Sequence, residues 1–389
     1  MRKIWINLWW LWAVCACSSQ PEVKCISFDL REDVHDIHQM GLFSGFQMIP
    51  LETRDSVLIG DIHNVVVWGD RVFVAEYFDT KAVYAFDLKG HFLGKVGRHG
   101  RGPEEYLQLS DLFVDPRTER LNLVSRIDQK LFEYDLEDFH VIRIRHLPKA
   151  FDQLLPWQEG YIGYMDNYGQ DKENPYNLWV LDSNLQIVDW KIKIAEGWES
   201  TSTSMNSLSM YKDSLYYIEP TDFNVYRYAD GKVEVAHRVD FGKDQIPEER
   251  ISYDDLRAKY SWPQNYIVEI DAFQELPDDY LYQILHNGQV RLCLFQKHTG
   301  KRWICELPVY DKDYFVPFGE IISISSDAII TAVPASRMHE ILKGGHEYVN
   351  YEEKYPEQIK RMREVLPEIA EDDNPCIVLW KFGGTGKEK

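Results

Sequence analysis

A five-residue strand signature recurs six times in this chain: VYAFD from Val83, LFEYD from Leu131, LWVLD from Leu178, VYRYA from Val225, LCLFQ from Leu292 and IVLWK from Ile377. The first three steps between these starts are 48, 47 and 47 residues, and the last two are 67 and 85. A strand-rich period in the forties is the mark of a propeller blade, a unit that buries its apolar faces only against neighbouring copies of itself. The expected fold is therefore all-β, a six-bladed β-propeller of four-stranded antiparallel blades, with helical insertions where the last two steps lengthen.

Naming the strands of a blade A to D from the centre outward places the signature on strand C. Blade 1 then reads 62–68, 71–76, 82–87 and 92–96, with turns at Gly69-Asp70 and Lys89-Gly90, and blade 2 reads 109–115, 121–125, 130–135 and 141–145. Blade 3 covers about 151–194 and blade 4 about 206–240; the inner strand of blade 5 falls within 266–275, and blade 6 starts near Val316. The chain ends too soon after 377–382 for blade 6 to have its own outer strand. Counting back from His63 by the spacing that separates an outer strand from the next inner one lands on Phe46, so 46–50 is expected to close the ring and remove an unpaired edge. Residues 247–260 open with Pro247 and two glutamates and space Ile251, Leu256 and Tyr260 for one helical face; residues 355–370 do the same with Ile359, Met362, Val365 and Leu366 until Pro367.

Alternating strand direction sorts the loops. The B-to-C and D-to-next-A connections share one face, which receives 97–106, 166–176, 195–205, the helix near 247 and the insertion 334–374; the opposite face has mainly short turns. Binding groups concentrate in loops on a rigid scaffold, so the elaborated face is the candidate. The insertion 334–374 reads equally as a cover over the channel mouth or as a packing element. In 97–106, Arg98 and Arg101 stand among glycines as phosphate ligands do, but the segment follows an outer strand and precedes another strand, where a phosphate loop opens a helix. An inter-blade crossing, with Glu104 or Glu105 pairing with Arg98 or Arg101, is the other reading. Tyr164, Tyr168, Trp198 and Trp262 are amphipathic rings able to stack on sugars or to pack in the interior. His63, at the start of an inner strand, is placed to line the channel as a metal ligand or base, or to serve as a hydrogen-bonded structural histidine. His35 and His38 form a turn-spaced pair without a third ligand.

No GxSxG, HExxH, EF-hand loop or CxxC occurs, and GGTGK near the end lacks the spacing of a phosphate-binding loop. The amino terminus has Arg2 and Lys3 followed by an apolar run to Ala16, the pattern of a secretion signal over 1–16. Val14-Cys15-Ala16-Cys17 resembles a bacterial lipobox and makes Cys17 the expected lipidation site, heading a lipid-attached segment 17–45. The formal charge of −20 disfavours nucleic acid and other polyanions. Cys293 and Cys305 flank a turn centred near Thr299, which leaves open a cross-strand disulfide or two buried thiols.

Pro50-Leu51-Glu52-Thr53, Leu58-Ile59-Gly60-Asp61-Ile62, Phe86-Asp87 with Gly90 and Phe92-Leu93, and the GRGPEEY run from Gly100 to Tyr106 together resemble the six-bladed β-propeller lipoproteins of Bacteroides-type Gram-negative bacteria, and more distantly NHL repeats. Glu104 stands where that family usually has Gly. The resemblance implies the fold and a cell-envelope location, on the periplasmic face or outer surface, and carries no catalytic residues with it. The expected function is that of a non-catalytic lipoprotein, a monomer held to the membrane through its lipid alone, that binds a glycan, peptide or envelope protein on the elaborated face. The ligand-binding candidates are Arg98, Arg101, Tyr168, Trp198, Trp262 and His63. The rival is a lactonase, hydrolase or lyase acting at the channel mouth. No cofactor is expected, with a divalent cation in the central channel as the open case.

Overall fold

The computed structural model describes residues 23–35, 41–168, 175–201, 207–260, 265–306, 319–343, 353, 356–366 and 369–383. Six antiparallel sheets stand in a ring, each with four strands in A-B-C-D order. Blade 1 is Asn64–Trp68, Arg71–Glu76, Ala82–Asp87 and Phe92–Val96. Its inner strand packs beside that of blade 2, Leu109–Asp115, on one side and that of blade 6, Glu320–Ile324, on the other. Buried side chains gather into six clusters, one at each inter-blade seam. Within Arg71–Glu76, Val72 and Val74 face blade 6 while Phe73 and Ala75 face blade 2. Such a strand is covered on both faces, and for that reason it reads as a continuous apolar run, whereas the outer strand Phe92–Val96 alternates.

The Asp that ends the signature in the first three blades closes the turn to strand D. Asp87 accepts from the backbone N–H of Lys89 at 2.8 Å and His91 at 2.9 Å, Asp135 from Glu137 at 2.7 Å, and Asp182 from Asn184 at 2.9 Å and Gln186 at 2.8 Å. This local carboxylate-to-backbone turn explains why the repeat is recognisable at that position.

The outer strand of blade 6 comes from the other end of the chain. Phe43–Pro50 pairs antiparallel with Cys376–Phe382, with Ile49 opposite Ile377 and Phe46 opposite Trp380. Blade 4 carries a fifth strand: Cys25–Ser27 runs parallel to the outer strand Lys232–Asp240. From there Phe28 stacks on Phe241 with ring centres 5.7 Å apart, and Leu30 enters the blade 4–5 core. Asp33 and His35 then exchange backbone hydrogen bonds with Ile304 on the outer strand of blade 5. The segment ahead of the closing strand is thus a strap over two blades.

The connection between blades 4 and 5 forms helix α1, Tyr253–Lys259, shorter than the 247–260 pattern suggests. Arg250 takes a positive φ, and the Ser252 hydroxyl accepts from the Asp255 N–H at 3.2 Å, so the helix begins at this cap and not at Pro247. In the blade 6 insertion, α2 spans Ala335–Lys343 and α3 spans Pro356–Val365. Only the second was anticipated. Met338 and Ile341 of α2 join Ile359 and Met362 of α3 in the blade 5–6 core, and Arg363 donates to the Leu342 carbonyl at 3.1 Å. Cys293 lies opposite Ile304 and Leu292 opposite Cys305, so the two thiols point to opposite faces of their sheet, and both are free.

Candidate functional site

On the elaborated face, the inner strands of blades 1 to 3 start around one side of the channel mouth. Asp111 sits where they meet. Its carboxylate accepts from the N–H of Leu112 at 2.8 Å, from the N–H of Leu154 on the inner strand of blade 3 at 2.8 Å, and from the Asn64 amide of blade 1 at 3.2 Å. Burial pushes this acid up to about 6 against those donors. Asp152, just before Gln153–Trp157, is pushed to about 7, first by burial and then by the field of Asp166, with Arg126 pulling the other way. Arg126 holds Asp152 at 3.2 Å and lies over the Tyr168 ring at 4.2 Å. Asp152 thus meets the guanidinium while lying in the fields of Asp166 and Asp111.

Blades 4 and 5 add acids on the same face. Glu219 is pushed to about 7 by burial and by Asp222, and Glu269 to about 7 by burial alone. Asp271, beside Glu269, is raised well above the usual carboxylate range by burial and by the field of Glu269. Asp222 itself is fully buried and satisfied, accepting from Tyr226 at 2.6 Å, Asn224 at 2.7 Å and Arg250 at 2.9 Å, which ties the B-to-C loop of blade 4 to the segment before α1. Among the described residues, the one set of three His, Cys or acidic groups with donor atoms all within 4.8 Å is Asp135, Asp138 and His140, on the C-to-D turn of blade 2 at the opposite face. Among the described residues, the mouth therefore gathers no such set of three donors.

The residues singled out from the sequence fall differently. His63 accepts from the Tyr77 N–H through Nδ1 at 3.3 Å and packs against Phe78 at 4.7 Å between centroids, a hydrogen-bonded position beside the mouth. Tyr168 lies at the mouth, on Arg126. Trp198 is 4% exposed and gives its indole N–H to the Ile251 carbonyl at 2.8 Å, and Tyr164 is equally enclosed; both are interior packing. Trp262 and Cys17 lie outside the described residues. Arg101 is exposed, and Arg98, 79% exposed, pairs with Glu105. Asp111, Asp152 and Asp166 were missed, because an isolated acid near a strand end has no local signal of convergence.

The loop carrying Arg98 is an inter-blade crossing. Glu105 turns back into its own loop to accept from the Gly102 N–H at 2.7 Å, and a Cβ on Gly100 would come within 2.0 Å of its carboxylate. Gly102 and Arg98 hold that carboxyl below the usual range. Glu105→Ala and Gly100→Ala are each expected to lower the melting temperature, while Glu104→Ala leaves it unchanged; equal melting of all three would remove this role. The loop also lines a lateral groove of about 520 Å³ with Tyr134, Phe139 and His140, between blades 1 and 2.

The model of the domain of unknown function DUF4934 matches residues 26–381. A Bacteroides fragilis protein described as exported shares the fold at a TM-score of 0.71 and 19% identity, over 93% of this chain and all of its own. A member of the DUF4221 family from Bacteroides vulgatus aligns at 0.50 and 8% identity, over 88% of this chain and 97% of its own. No curated protein matches the sequence.

Proposed function

This chain belongs to the DUF4934 family, and from that premise we propose that it is a non-catalytic envelope lipoprotein that binds a ligand or partner at the mouth of the elaborated face. The observation that carries this reading is the arrangement of Asp111, Asp152, Asp166, Arg126 and Tyr168, drawn from two blades into one polar mouth. It supplies charge and an aromatic face for holding a molecule, and its donors are too dispersed to grip one metal ion. The leader pattern, Cys17 and the exported Bacteroides fragilis neighbour support an envelope location. Among the described residues no helix is long and apolar enough to cross a membrane.

The test has two arms. In cells, wild-type protein fractionates with membranes and takes up labelled fatty acid, while Cys17→Ser does neither; membrane association of both overturns the anchor. On glycan, peptide and envelope-extract arrays, ligands of the wild type are lost by the paired variant Arg126→Ala and Tyr168→Ala, checked for folding by circular dichroism. Binding that survives in that variant and disappears in Phe139→Ala and His140→Ala moves the site to the lateral groove.

A further inference from the structure

We propose that the lateral groove between blades 1 and 2 is a second binding site, and that its ligand is a neutral sugar whose hydroxyl bridges Tyr134 and Glu104 while a ring face lies against Phe139. None of the residues lining this groove belongs to the mouth, so the two sites are independent.

The groove contains a buried polar group with nothing to bond. Tyr134 ends strand C of blade 2 and is fully buried, with its ring in the blade 1–2 core beside Phe132. It lines the groove, and its hydroxyl, next to Gly97 of the same wall, has no hydrogen-bond partner. Tyr106, in the same cluster, shows the ordinary outcome by giving its O–H to the Lys81 carbonyl at 2.9 Å. Burial and the field of Glu104 raise the Tyr134 phenol, so it keeps its proton and remains a donor. Gly97 preserves the space, because a Cβ there would run into the hydroxyl. A buried donor left unmet costs stability, and a ligand that meets it removes that cost.

A second unmet group lies within its field. Glu104 is exposed, lines the same groove and, among the described residues, takes no ion pair or hydrogen bond. Tyr134 has a hydrogen to give, whereas an ionised Glu104 can only accept. A carboxylate or phosphate ligand has no hydrogen for Glu104, and a cation cannot accept the phenol's. A hydroxyl does both. The charges along the wall point the same way. Arg98 is already paired with Glu105, and His140 with Asp138 through Nδ1, so neither cation is left to select an anion.

Phe139 supplies the apolar face. Its half-buried ring stands edge-on to Phe73 at 6.1 Å between centroids and lies against Gly94, where a Cβ would come within 3.2 Å of it. The seam thus fixes the ring beside the groove, and Pro103 and Val141 extend the apolar border. A pyranose has hydroxyls around its rim and C–H groups on its faces, which suits one rigid aromatic surface flanked by a few polar atoms. The volume of about 520 Å³ falls within the range of about 300–1,000 Å³ common to small-molecule sites.

Saturation-transfer NMR with the full chain tests this. The probes are cellobiose, lactose and chitobiose as neutral disaccharides, digalacturonic acid as a charged counterpart, and acetyl-Ser-Gly-Ser-amide as a peptide bearing hydroxyls. At least one neutral disaccharide is expected to bind, and the acid and the peptide are not. Tyr134→Phe should cost about tenfold in affinity while leaving the melting temperature unchanged or raised, because the hydroxyl it removes bonds to nothing in the protein. Glu104→Ala, on the surface, should weaken binding by a similar factor and keeps the test open if Tyr134→Phe fails to fold. Arg126→Ala with Tyr168→Ala, at the mouth, should leave sugar binding as it is. No binding of any neutral disaccharide, binding of the acid or the peptide as strong as that of the sugars, or undiminished binding by both groove variants overturns the proposal. A lowered melting temperature in Tyr134→Phe would show that the hydroxyl is satisfied within the fold, and would overturn it as well. Sugar binding lost in the mouth variant and kept in both groove variants would assign the sugar to the mouth, upholding that site and overturning this one.

Discussion

Removing residues 41–50 is expected to abolish cooperative unfolding. The deletion takes away the whole ladder between Phe43–Pro50 and Cys376–Phe382, together with buried Leu42 and Ile49 and the packing of Phe43 and Phe46 on Trp380. Each fully buried apolar side chain contributes about 1.5–3 kcal/mol, so the loss is on the order of 5–10 kcal/mol. Domains are stable by about 5–15 kcal/mol in total. Geometry also supplies a rescue. Phe43 lies opposite Phe382, and the Gly383 N–H donates to the Leu42 carbonyl at 2.9 Å, so the same strand placed after Gly383 through a short turn would return as an ordinary hairpin. That permuted chain should recover a single sharp transition in calorimetry. A deletion that melts at the wild-type temperature, or a permutant that melts no better than the deletion, would count against ring closure as the source of stability.

The second large effect is an inverted pH dependence of stability near neutrality. Asp111 at about 6, and Asp152, Glu219 and Glu269 at about 7, hold protons in the native state that the unfolded chain releases near 3.8 for Asp and 4.5 for Glu. Between those limits the native state binds more protons, so stability falls as pH rises. For Asp111, 8% exposed, the move from 3.8 to about 6 corresponds to a loss of about 3 kcal/mol once the acid is fully ionised. At lower pH the opposite set takes over. Asp115, held down by Arg117 and Tyr161 despite its burial, and Glu52, held down by Arg54 and Phe92, contribute stability present above their unfolded values and lost as they protonate below them. The melting temperature should therefore peak at about pH 5 and decline toward about pH 7.5. Glu269→Gln should raise it at the upper end and flatten the decline. A melting temperature that climbs steadily from pH 5 to 7.5, or a Glu269→Gln chain with an unchanged slope, would contradict this account.

What could be read in advance followed from local periodicity. The signature strands alternate between two inter-blade seams, and their terminal Asp serves its own turn, so both leave marks within a few residues. Phe43–Pro50 was reachable by counting. Cys25–Ser27 was overlooked, although Ile26, Phe28 and Leu30 alternate as a half-buried strand should; three residues among charged neighbours are a weak signal. The cysteine midpoint near Thr299 missed the register because the hairpin closes on Gln296 and Lys301, whose axis lies half a residue earlier. The mouth resisted prediction for a different reason. Beyond its neighbour Leu112, Asp111 acquires its partners from inner strands more than forty residues away, so nothing near it in the chain announces a shared carboxylate.

The strap also determines how the molecule bears a load. Tension entering upstream of Lys24 reaches the edge strand on blade 4 first, then Phe28 and Leu30 in the blade 4–5 core, then the bonds between Asp33, His35 and Ile304. Only after these does it arrive at Phe43–Pro50, the strand whose peeling would open the ring. Cys25–Ser27 lies parallel to its neighbour, so a pull along its length would load its hydrogen bonds together instead of breaking them in succession. Under the proposed lipid anchor at Cys17, the strap would work as a strain relief, shielding the closing seam from the pull of the tether.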